Sequence, residues 1–275
     1  MLRPWVARQS QMRARAYVLI VGGLLAPPVA YRRMRGRLLA RGAAGVDVAP
    51  IHAVDWGLAA VRGFGDLQRK VGSAIAGAHA RSGGRAILVV GHSGGGLLAR
   101  LAMCEAPYRG RVGGMAPQVG CLVTLGSPHA LHHAPLPSVH EGVRLAAFLA
   151  RAAPGAHHAP ATAYLTVASD AVRPPRAPTT PARRGPVARL QHAFFRRITG
   201  PTLSAGSDGI VSLSLAHLDG ARQLTLHDTL HGVIGSPWYG DDLAVDQWWP
   251  VAVRSWHEAV AGRPPSARCG EVRAT

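Results

Sequence analysis

A serine flanked by glycines, in the segment Gly91-His92-Ser93-Gly94-Gly95, is the residue of this sequence best suited to nucleophilic chemistry. The segment fits the pattern Gly-x-Ser-x-Gly, in which a sharp turn between a strand and a helix exposes the serine hydroxyl. Glycine is frequent in this chain, at 33 of 275 residues, so five residues alone are weak evidence. The flanking segments therefore decide between a nucleophile and an ordinary glycine-rich turn.

The segments on both sides of Ser93 are those that such a turn requires. Arg85 to Val90 is almost entirely apolar, as expected for a buried strand, and runs directly into the turn. Gly95 to Cys104 begins with small residues and continues with leucines at the spacing of a buried helix. The N-terminus of this helix would direct partial positive charge at the site, which favours a developing oxyanion. We therefore predict that Ser93 is a nucleophile.

Apolar, β-branched runs alternate with helix-patterned stretches along the first half of the chain. That order predicts an α/β fold in which crossover helices connect parallel strands. The predicted strands are Tyr17 to Val21, Val46 to Ile51, Arg85 to Val90, Val119 to Leu125, Tyr164 to Ala168 and Arg222 to Leu226. The predicted helices are Val29 to Arg41, Asp66 to Arg81, Gly95 to Cys104, Val139 to Ala152 and Asp241 to Ala261.

The length of 275 residues and the lack of an internal repeat predict a single domain over residues 1–275, with a core at about 17–261. Two proline-bracketed stretches, at about 131–160 and 171–186, interrupt the alternation of strands and helices. Long excursions of this kind are where binding loops and lids occur. We therefore expect lid-like insertions after the strand that follows Ser93.

Residues 16–30 form an apolar run behind a basic N-terminus, a pattern that also occurs in signal peptides. The run contains Gly22-Gly23 and Pro27-Pro28, which suit a strand entering a tight loop better than a continuous apolar helix. We interpret it as the first core strand. No other stretch of the sequence predicts a membrane-spanning helix. The compartment is left open, cytoplasm and plastid included.

The charge balance is strongly basic, with 31 Lys and Arg against 14 Asp and Glu, a net charge of +17. Such an excess attracts nucleic acid or an anionic membrane surface. Lys70 is the only lysine, and most arginines are scattered, without the interleaved aromatic residues of a base-stacking surface. Compositional bias is the simpler explanation. We predict no nucleic-acid partner and keep peripheral contact with an anionic membrane as an expectation.

Neither metal-binding nor phosphate-binding patterns emerge from the sequence. Metal-ligand spacing is lacking among the three cysteines, Cys104, Cys121 and Cys269. The same holds for the histidines at positions 129, 132, 133, 157 and 158, which have no carboxylate or cysteine at ligand spacing. The glycines around Ser93 match neither of the phosphate-cradling patterns of nucleotide-binding proteins. We predict no metal and no cofactor, and interpret His129 as a structural residue.

The sequence resembles the α/β-hydrolase family, in its lipase-like branch, from Tyr17 to Trp249. Besides the Ser93 segment, the resemblance is carried by Val21-Gly-Gly-Leu24, Leu122-Val-Thr-Leu-Gly-Ser-Pro-His129 and Ser207-Asp-Gly-Ile-Val211. Similarity to lipase-like hydrolases of plants and cyanobacteria is carried by Pro237-Trp-Tyr-Gly240 and Val245-Asp-Gln-Trp-Trp249. A looser similarity extends to GPI inositol-deacylase-like enzymes. The resemblance implies a mostly parallel central sheet flanked by helices, and a serine hydrolase that cleaves carboxylic esters.

The order of catalytic groups in that family is serine, then acid, then histidine. Ser207-Asp208-Gly209-Ile210-Val211 is similar to the family's acid loop, in which the glycine permits a turn and two apolar residues anchor the loop in the core. Asp208 is therefore the predicted acid. Asp170, just beyond the strand Tyr164 to Ala168, is the alternative.

The base is expected on the loop after the strand Arg222 to Leu226, where two histidines occur. His231 matches the family's histidine upstream of Pro-Trp-Tyr-Gly and is the predicted base. His227, at the strand end, is the alternative. We expect an Asp208 oxygen near one ring nitrogen of His231 and the Ser93 hydroxyl near the other, at about 2.6–3.2 Å.

Two backbone N–H groups must form the oxyanion hole, one after the nucleophile and one on the loop after the first strand. The first is predicted to be that of Gly94. The resemblance assigns the second to Leu24, with Gly23 as the alternative. The predicted substrate-binding residues are Leu25, His92 and Trp238, although core packing is the simpler interpretation of Trp238.

The expected reaction is the cleavage of a carboxylic ester, with a lipid acyl ester as the expected substrate, through an acyl-enzyme. A small-ester esterase, a thioesterase and a peptidase use the same groups, so the fold does not decide among them. The non-enzymatic alternative is a catalytically inactive protein of this fold that binds lipid or protein.

Overall fold

The computed structural model describes residues 15–24, 26–131, 137–172, 206–233 and 237–262, with only the backbone given for 137–140. Its described strands form one six-stranded sheet in the order β2-β1-β3-β4-β5-β6, in which every neighbouring pair is parallel. The strands are β1 (Tyr17–Val21), β2 (Gly45–Val48), β3 (Ile87–His92), β4 (Val119–Leu125), β5 (Ala163–Ser169) and β6 (Arg222–Leu226). Because all six run the same way, the loops that follow them meet at one edge of the sheet.

The helices form a layer on each face of this sheet. They are α1 (Arg32–Ala40), α2 (Ala53–Arg62), α3 (Gly65–Arg81), α4 (Gly94–Met103), α5 (Pro137–Ala152), α6 (Leu213–Ala216) and α7 (Asp242–Ala261). Short 3₁₀ turns at Pro28–Tyr31 and Ala116–Gln118 precede α1 and β4. The α/β fold predicted from the sequence is confirmed, as is its mostly parallel sheet.

Alternate side chains of the central strands enter two separate hydrophobic clusters. Leu19 and Val21 of β1 pack in the cluster of α2, α3, α4 and α5. Val18 and Ile20 of the same strand pack in the cluster of α1 and α7. A strand buried on both faces is expected to be apolar throughout, which is what the sequence shows. The sheet edge at which the loops after the strands meet is therefore supported on both faces by closely packed helices.

The predicted strand bounds hold for β1, β4 and β6, β5 is one residue longer at each end, and β2 and β3 differ more. β2 ends at Val48 rather than at residue 51, just before Pro50, which has no N–H to give to a strand ladder. β3 continues to His92 because the glycine and histidine before Ser93 still pair with β4. The strand therefore extends up to Ser93.

The helix α2 was not predicted, because both of its faces carry apolar residues. Trp56 and Ala59 are buried, while Val54, Leu58 and Val61 are exposed to solvent by 66%, 42% and 84%. With apolar residues on both faces, the helical period is not visible in the sequence. The side chain of Asp55 in its first turn accepts a hydrogen bond from the N–H of His52 and so caps the helix start.

The described part of the first predicted insertion is largely the helix α5. Leu145, Ala146 and Leu149 are buried in the same cluster as α2 and α4, so α5 belongs to the helical layer of the fold. Most of the second predicted insertion, from residue 173 onward, lies outside the described residues. The assignment of the whole chain to one domain stays a prediction.

Some of the arginines form salt bridges between the region of α1 and the start of α7. Arg37 of α1 and Arg41, directly after this helix, form salt bridges of 2.7–3.0 Å with three carboxylates at the start of α7, Asp241, Asp242 and Asp246. Part of the arginine cluster in α1 therefore acts within the chain. Among the described residues, no helix is long and apolar enough to cross a membrane.

A buried polar group links α4 to the loop after β4. The guanidinium of Arg100 donates to Nδ1 of His129 (3.3 Å) and to the carbonyl of Ala153 (2.7 Å). Because an arginine can only donate, His129 carries its proton on Nε2 and donates it to Thr124 Oγ1 (3.1 Å). His129 thus closes the loop after β4, as its interpretation as a structural residue expected.

This arrangement predicts a stability that declines in mild acid. Burial, together with the neighbouring Arg100 charge, lowers the pKa of His129 well below its usual value, so the folded protein keeps this ring neutral. The unfolded chain binds a proton there below about pH 6.5, which favours unfolding as the pH falls. One such residue changes the unfolding free energy by about 1.4 kcal/mol per pH unit below that point.

Urea unfolding at pH 7.5, 6.0 and 5.0 measures this slope. The variant His129→Gln is expected to be less stable at every pH. Its unfolding free energy should nevertheless change less steeply with pH, by about the contribution of one histidine. An identical slope in the variant and the original protein would contradict the assignment of a neutral buried His129.

Candidate active site

The turn between β3 and α4 forces Ser93 into an unusual backbone conformation. Its φ is 55° and its ψ is −129°, a region that few residues other than glycine adopt. The turn is tight enough to require glycine on both sides: a Cβ on Gly91 would lie 2.5 Å from the backbone of Gly96, and one on Gly95 would overlap the carbonyl of Val21. The predicted strand, turn and helix are all present, with Ser93 at the tip.

The three residues predicted to act together are in hydrogen-bond contact. His231 Nε2 lies 2.9 Å from Ser93 Oγ, and His231 Nδ1 lies 2.7 Å from Asp208 Oδ2. Both distances are within the range required of a nucleophile, its base and the group that orients the base. The structure therefore brings residues from the turn after β3, the loop before α6 and the loop after β6 into contact with one another.

The carboxylate of Asp208 is fully buried, and both of its oxygens are engaged. Oδ1 accepts the backbone N–H groups of Ile210 (2.9 Å) and Val211 (2.7 Å). Oδ2 accepts from His231 and from the hydroxyl of Tyr239 (2.9 Å). Burial raises the pKa of the Asp208 carboxyl, but the attraction of His231 and these hydrogen bonds outweigh it, and the pKa lies below its usual value. Asp208 is therefore ionised at neutral pH.

The ionised carboxylate determines the tautomer of His231. Because Asp208 can only accept, His231 donates through Nδ1–H, and its Nε2 lone pair is left to accept the hydroxyl proton of Ser93. This is the arrangement in which a histidine acts as a general base toward a serine. Burial and the carboxylate also raise the pKa of Tyr239 well above its usual value, so its hydroxyl remains a donor.

The alternative acid and the alternative base lie together, away from Ser93 Oγ. His227 Nδ1 is 3.0 Å from Asp170 Oδ1, and the His227 side chain is 69% exposed. Asp170 and His227 therefore form a surface pair at the end of β5 and β6.

The loop after β1 offers one of the two predicted donors for an oxyanion. The N–H of Gly23 donates to the hydroxyl of Tyr31 (2.9 Å) and is already used. The N–H groups of Leu24 and Gly94 have no hydrogen-bond partner within the part of the chain that the structure describes. Leu24 is 42% exposed and belongs to the loop that contacts the turn. Of the two residues open for this role, the geometry favours Leu24.

His92 and Trp238, which the sequence predicts to bind substrate, are both buried in this structure. His92 is 3% exposed, and its nitrogens are bonded to the Tyr31 hydroxyl and to the carbonyl of His231. Trp238 is also 3% exposed and packs edge-on against the rings of Tyr31 and His92. Both side chains are enclosed by the core, so neither presents a surface to a substrate. Leu25 lies outside the described residues.

Two residues that contact the site were not assigned to it by sequence reasoning. Tyr239 lies in the Pro237-Trp-Tyr-Gly240 segment but has no predicted role, and Tyr31 lies within the helix predicted from Val29 to Arg41. The Pro237-Trp-Tyr-Gly240 segment was a usable signal for Tyr239, because it accompanies the histidine loop in the resemblance. Tyr31 had no such signal, since nothing in the sequence shows that it contacts Gly23 and His92.

Within the residues that the structure describes, no group of three or more potential ligands is arranged to hold a metal ion. His157 and His158 are in ring contact with each other, and His129 is engaged by Arg100 and Thr124. Two of the other histidines considered above, at positions 132 and 133, lie outside the described residues.

Residues 66–151 match the family model "PGAP1-like alpha/beta domain". The matched region runs from α3 to the end of α5 and includes the turn that carries Ser93. With the parallel sheet and the strained serine between β3 and α4, the observations agree on one architecture. The fold is that of an α/β hydrolase. The match also supports the similarity to GPI inositol-deacylase-like enzymes that the sequence patterns indicate.

Solved structures with this hydrolase fold are distant from the chain. Thermogutta terrifontis esterase 2, solved after phosphoramylation by tabun, is 12% identical, with 87% of this chain and 80% of that chain covered and a TM-score of 0.46. The product of lin2722 from Listeria innocua is 14% identical, with coverages of 86% and 93% and a TM-score of 0.45. Aspergillus fumigatus lipase B is 16% identical, with coverages of 62% and 41% and a TM-score of 0.40.

These likenesses, all with TM-scores below 0.5, have no bearing on substrate or activity. The chain spans 46% of the length of tomato methylketone synthase I and 41% of the A. fumigatus lipase, less than half of either. No curated protein sequence matches the chain.

The hydrogen bond from Tyr239 to Asp208 predicts a role for a residue outside the three-residue line. In Tyr239→Phe, a buried carboxylate loses one of its four donors, at a cost of about 1.5–3 kcal/mol for a hydrogen bond to a charged group. We expect ester hydrolysis to fall by about tenfold in kcat/KM. Tyr164→Phe, which changes another buried tyrosine away from the site, is the matched control and should hydrolyse at the original rate. Equal rates for both variants would show that Asp208 does not depend on Tyr239.

Proposed function

We propose that this chain is a serine hydrolase that cleaves carboxylic esters through an acyl-enzyme on Ser93. The observation that carries the proposal is the continuous line of short contacts from Asp208 to His231 to Ser93, at 2.7 and 2.9 Å. That line ends on a serine held at φ 55° at the N-terminus of a buried helix. A structural serine in a glycine-rich turn has no need of a buried base and acid behind it.

In the proposed reaction, Ser93 Oγ attacks the ester carbonyl carbon while His231 Nε2 takes the hydroxyl proton. The carbonyl oxygen becomes an oxyanion, which the N–H groups of Gly94 and Leu24 stabilise, together with the partial positive charge of the α4 N-terminus. Collapse of this intermediate breaks the ester C–O bond, and the His231 proton goes to the leaving alcohol. Asp208 keeps the His231 ring oriented and stabilises its positive charge.

A water molecule then attacks the acyl-enzyme, giving its proton to His231 Nε2. A second tetrahedral intermediate collapses, the proton returns to Ser93 Oγ, and the carboxylic acid leaves. All proton transfers run through one ring nitrogen, and every step uses groups of this chain and water. The reaction therefore needs no metal ion or organic cofactor.

A lipid acyl ester is the proposed substrate, and the exposed face of α2 supports it. Val54, Leu58 and Val61 recur at the spacing of one helix face and are all solvent-exposed. On the opposite face of α2, the Trp56 ring lies against Gly94, since a Cβ on that glycine would be 2.9 Å from it. The exposed apolar stripe therefore belongs to a helix that contacts the predicted oxyanion hole. An exposed apolar stripe on a helix that packs against a hydrolytic site favours contact with long acyl chains or a lipid interface.

The test of the reaction class is labelling with a fluorophosphonate, which reacts with activated serines. The original protein should be labelled and should hydrolyse p-nitrophenyl esters. Ser93→Ala should not be labelled, and its kcat should be lower by at least about a thousandfold, because a triad member contributes several orders of magnitude to the rate. Its unfolding midpoint should be unchanged. Ser255→Ala, which removes a buried serine on α7, is the matched control and should retain both properties. Retained hydrolysis in Ser93→Ala, or no labelling of the original protein, would refute the proposal and leave the inactive binding protein as the alternative.

The test of the substrate class compares short-chain and long-chain p-nitrophenyl esters and sedimentation with anionic or neutral lipid vesicles. We expect faster cleavage of long-chain esters, and vesicle binding that weakens at high salt because screening reduces the attraction of the +17 chain. Val61→Glu should reduce long-chain cleavage and vesicle binding, but not acetyl ester cleavage. Leu243→Glu, an equal charge change at an exposed apolar residue of α7, is the control and should behave as the original protein. A preference for acetyl esters without vesicle binding would leave an esterase of small esters.

A further inference from the structure

Four buried polar groups beside the Ser93 site form a chain of hydrogen bonds in which Ser93 and Asp208 take no part. The N–H of Gly23 donates to the Tyr31 hydroxyl at 2.9 Å, and that hydroxyl lies 2.9 Å from Nδ1 of His92. Nε2 of His92 lies 3.0 Å from the backbone carbonyl of His231. We refer to Gly23 N–H, the side chains of Tyr31 and His92, and the His231 carbonyl as the relay.

The donor and acceptor of every hydrogen bond in the relay follow from the two backbone groups at its ends. A backbone N–H can only donate, so the Tyr31 hydroxyl accepts from Gly23 and gives its own proton to His92 Nδ1. His92 then carries its ring proton on Nε2 and donates it to the carbonyl of His231, which can only accept. No other assignment satisfies the hydroxyl, both ring nitrogens and the two backbone groups. The relay is therefore complete only while His92 is neutral.

Packing keeps the relay in this state. Tyr31 is fully buried, His92 is 3% exposed, and the ring of Trp238 lies edge-on to both, with centroids 6.1 and 5.9 Å away. Burial is the main cause that lowers the pKa of His92 to about 3, with the His231 ring as a second cause. His92 therefore stays neutral at any pH suited to an ester assay. The relay is therefore a buried element of the fold.

The relay joins three loops that the sheet alone leaves independent. Gly23 follows β1, His92 precedes the nucleophile at the end of β3, and His231 follows β6, three strands away from β3. The first loop also contacts the turn directly, since a Cβ on Gly23 would lie 2.7 Å from Ser93 Cβ. The relay thus connects the loop of the oxyanion donor, the loop of the nucleophile and the loop of the base.

We propose that Tyr31 and His92 are positioning residues that set the oxyanion loop and the His231 backbone relative to Ser93. This inference rests on the proposed ester hydrolysis. Tyr31 binds Gly23 N–H and thereby leaves the next N–H, that of Leu24, as the donor toward the oxyanion. His92 holds the backbone of His231, whose ring must stay within hydrogen-bond distance of Ser93 Oγ. Both residues act through other groups and touch no reacting atom.

The main test is Tyr31→Phe, which removes one hydroxyl from the relay and keeps the ring. Rates are expressed per active site, titrated by the fluorophosphonate burst, so that loss of folded protein does not count. We expect kcat to fall by about 10- to 100-fold with KM changed by less than about threefold, because the oxyanion contact strengthens in the transition state. The rate of fluorophosphonate labelling, which also builds negative charge on oxygen, should fall in parallel.

Tyr17→Phe is the matched control. The Tyr17 hydroxyl also donates and accepts, to Asp47 and from Arg81, but it lies at the opposite end of β1, about 15 Å along the strand from the loop. This variant should have the original kcat per active site. A Tyr31→Phe variant that is as active per site as Tyr17→Phe would overturn the proposal.

A second variant keeps the test decisive if Tyr31→Phe does not fold. His92→Gln removes the acceptor for Tyr31 and retains an amide that can reach the His231 carbonyl, and it should show the same loss in kcat with KM nearly unchanged. Where both variants fold, the double variant should be no slower than the slower single one, since residues of one network are not additive. Additive losses would show two separate effects and contradict the relay.

The outcomes also separate this inference from the proposed function. Without Ser93-dependent hydrolysis in the original protein, the proposed function itself fails. With Ser93-dependent hydrolysis and unaltered kcat in both relay variants, only the relay is wrong, and Tyr31 and His92 are ordinary core residues.

Discussion

The left-handed backbone of Ser93 is the constraint on which the rest of the site depends. A non-glycine residue at φ 55° and ψ −129° costs about 1–3 kcal/mol and persists only where the surroundings enforce it. Here the enforcement comes from β3, which pairs on both sides up to its last residues, and from α4, whose first turn contacts the carbonyl of Val21. The serine hydroxyl is held outward because the sheet and the helix cannot both be satisfied in any other way.

The two faces of the sheet contribute different parts of the site. The cluster of α2, α3, α4 and α5 supports α4, the helix that follows Ser93. It includes Trp56, which lies against Gly94. The opposite cluster of α1 and α7 contains Tyr31, Trp238 and Tyr239, whose polar or aromatic groups contact His92 and Asp208. Ser93 is thus supported by apolar packing on one face, and His231 and Asp208 by buried hydrogen bonds on the other.

The buried side chains of Asp208, His92 and His129 have their hydrogen bonds satisfied with little redundancy. The four donors to Asp208 fill both carboxylate oxygens, and the neutral rings of His92 and His129 each use both nitrogens. In a low-dielectric interior, loss of one partner leaves another group unpaired, which is more costly than the bond itself is favourable. Changes at positions that never contact a substrate are therefore expected to affect the geometry of the serine and its base.

The sequence by itself determined the parallel α/β architecture and the strand, turn and helix around Ser93. These features follow from local patterns: β1 and β4 are largely apolar runs, and the glycines around Ser93 are needed by one tight turn. Asp208 and His231 could be selected through short segments that resemble a known family, while Asp170 and His227 remained open on spacing alone. Helix α2 could not be predicted because its exposed face also carries apolar residues.

Only the tertiary structure decided which polar groups meet. It brought Asp208 and His231 to Ser93 and paired Asp170 with His227 at the surface. It also enclosed His92 and Trp238 in the core and directed the Tyr31 hydroxyl to Gly23, which leaves Leu24 as the available donor. The physical reason is that a hydrogen bond acts over about 3 Å, whereas these partners lie from 8 to 138 residues apart in the chain. Local patterns select the elements, and the packing of helices on both faces of the sheet sets the distances between their ends.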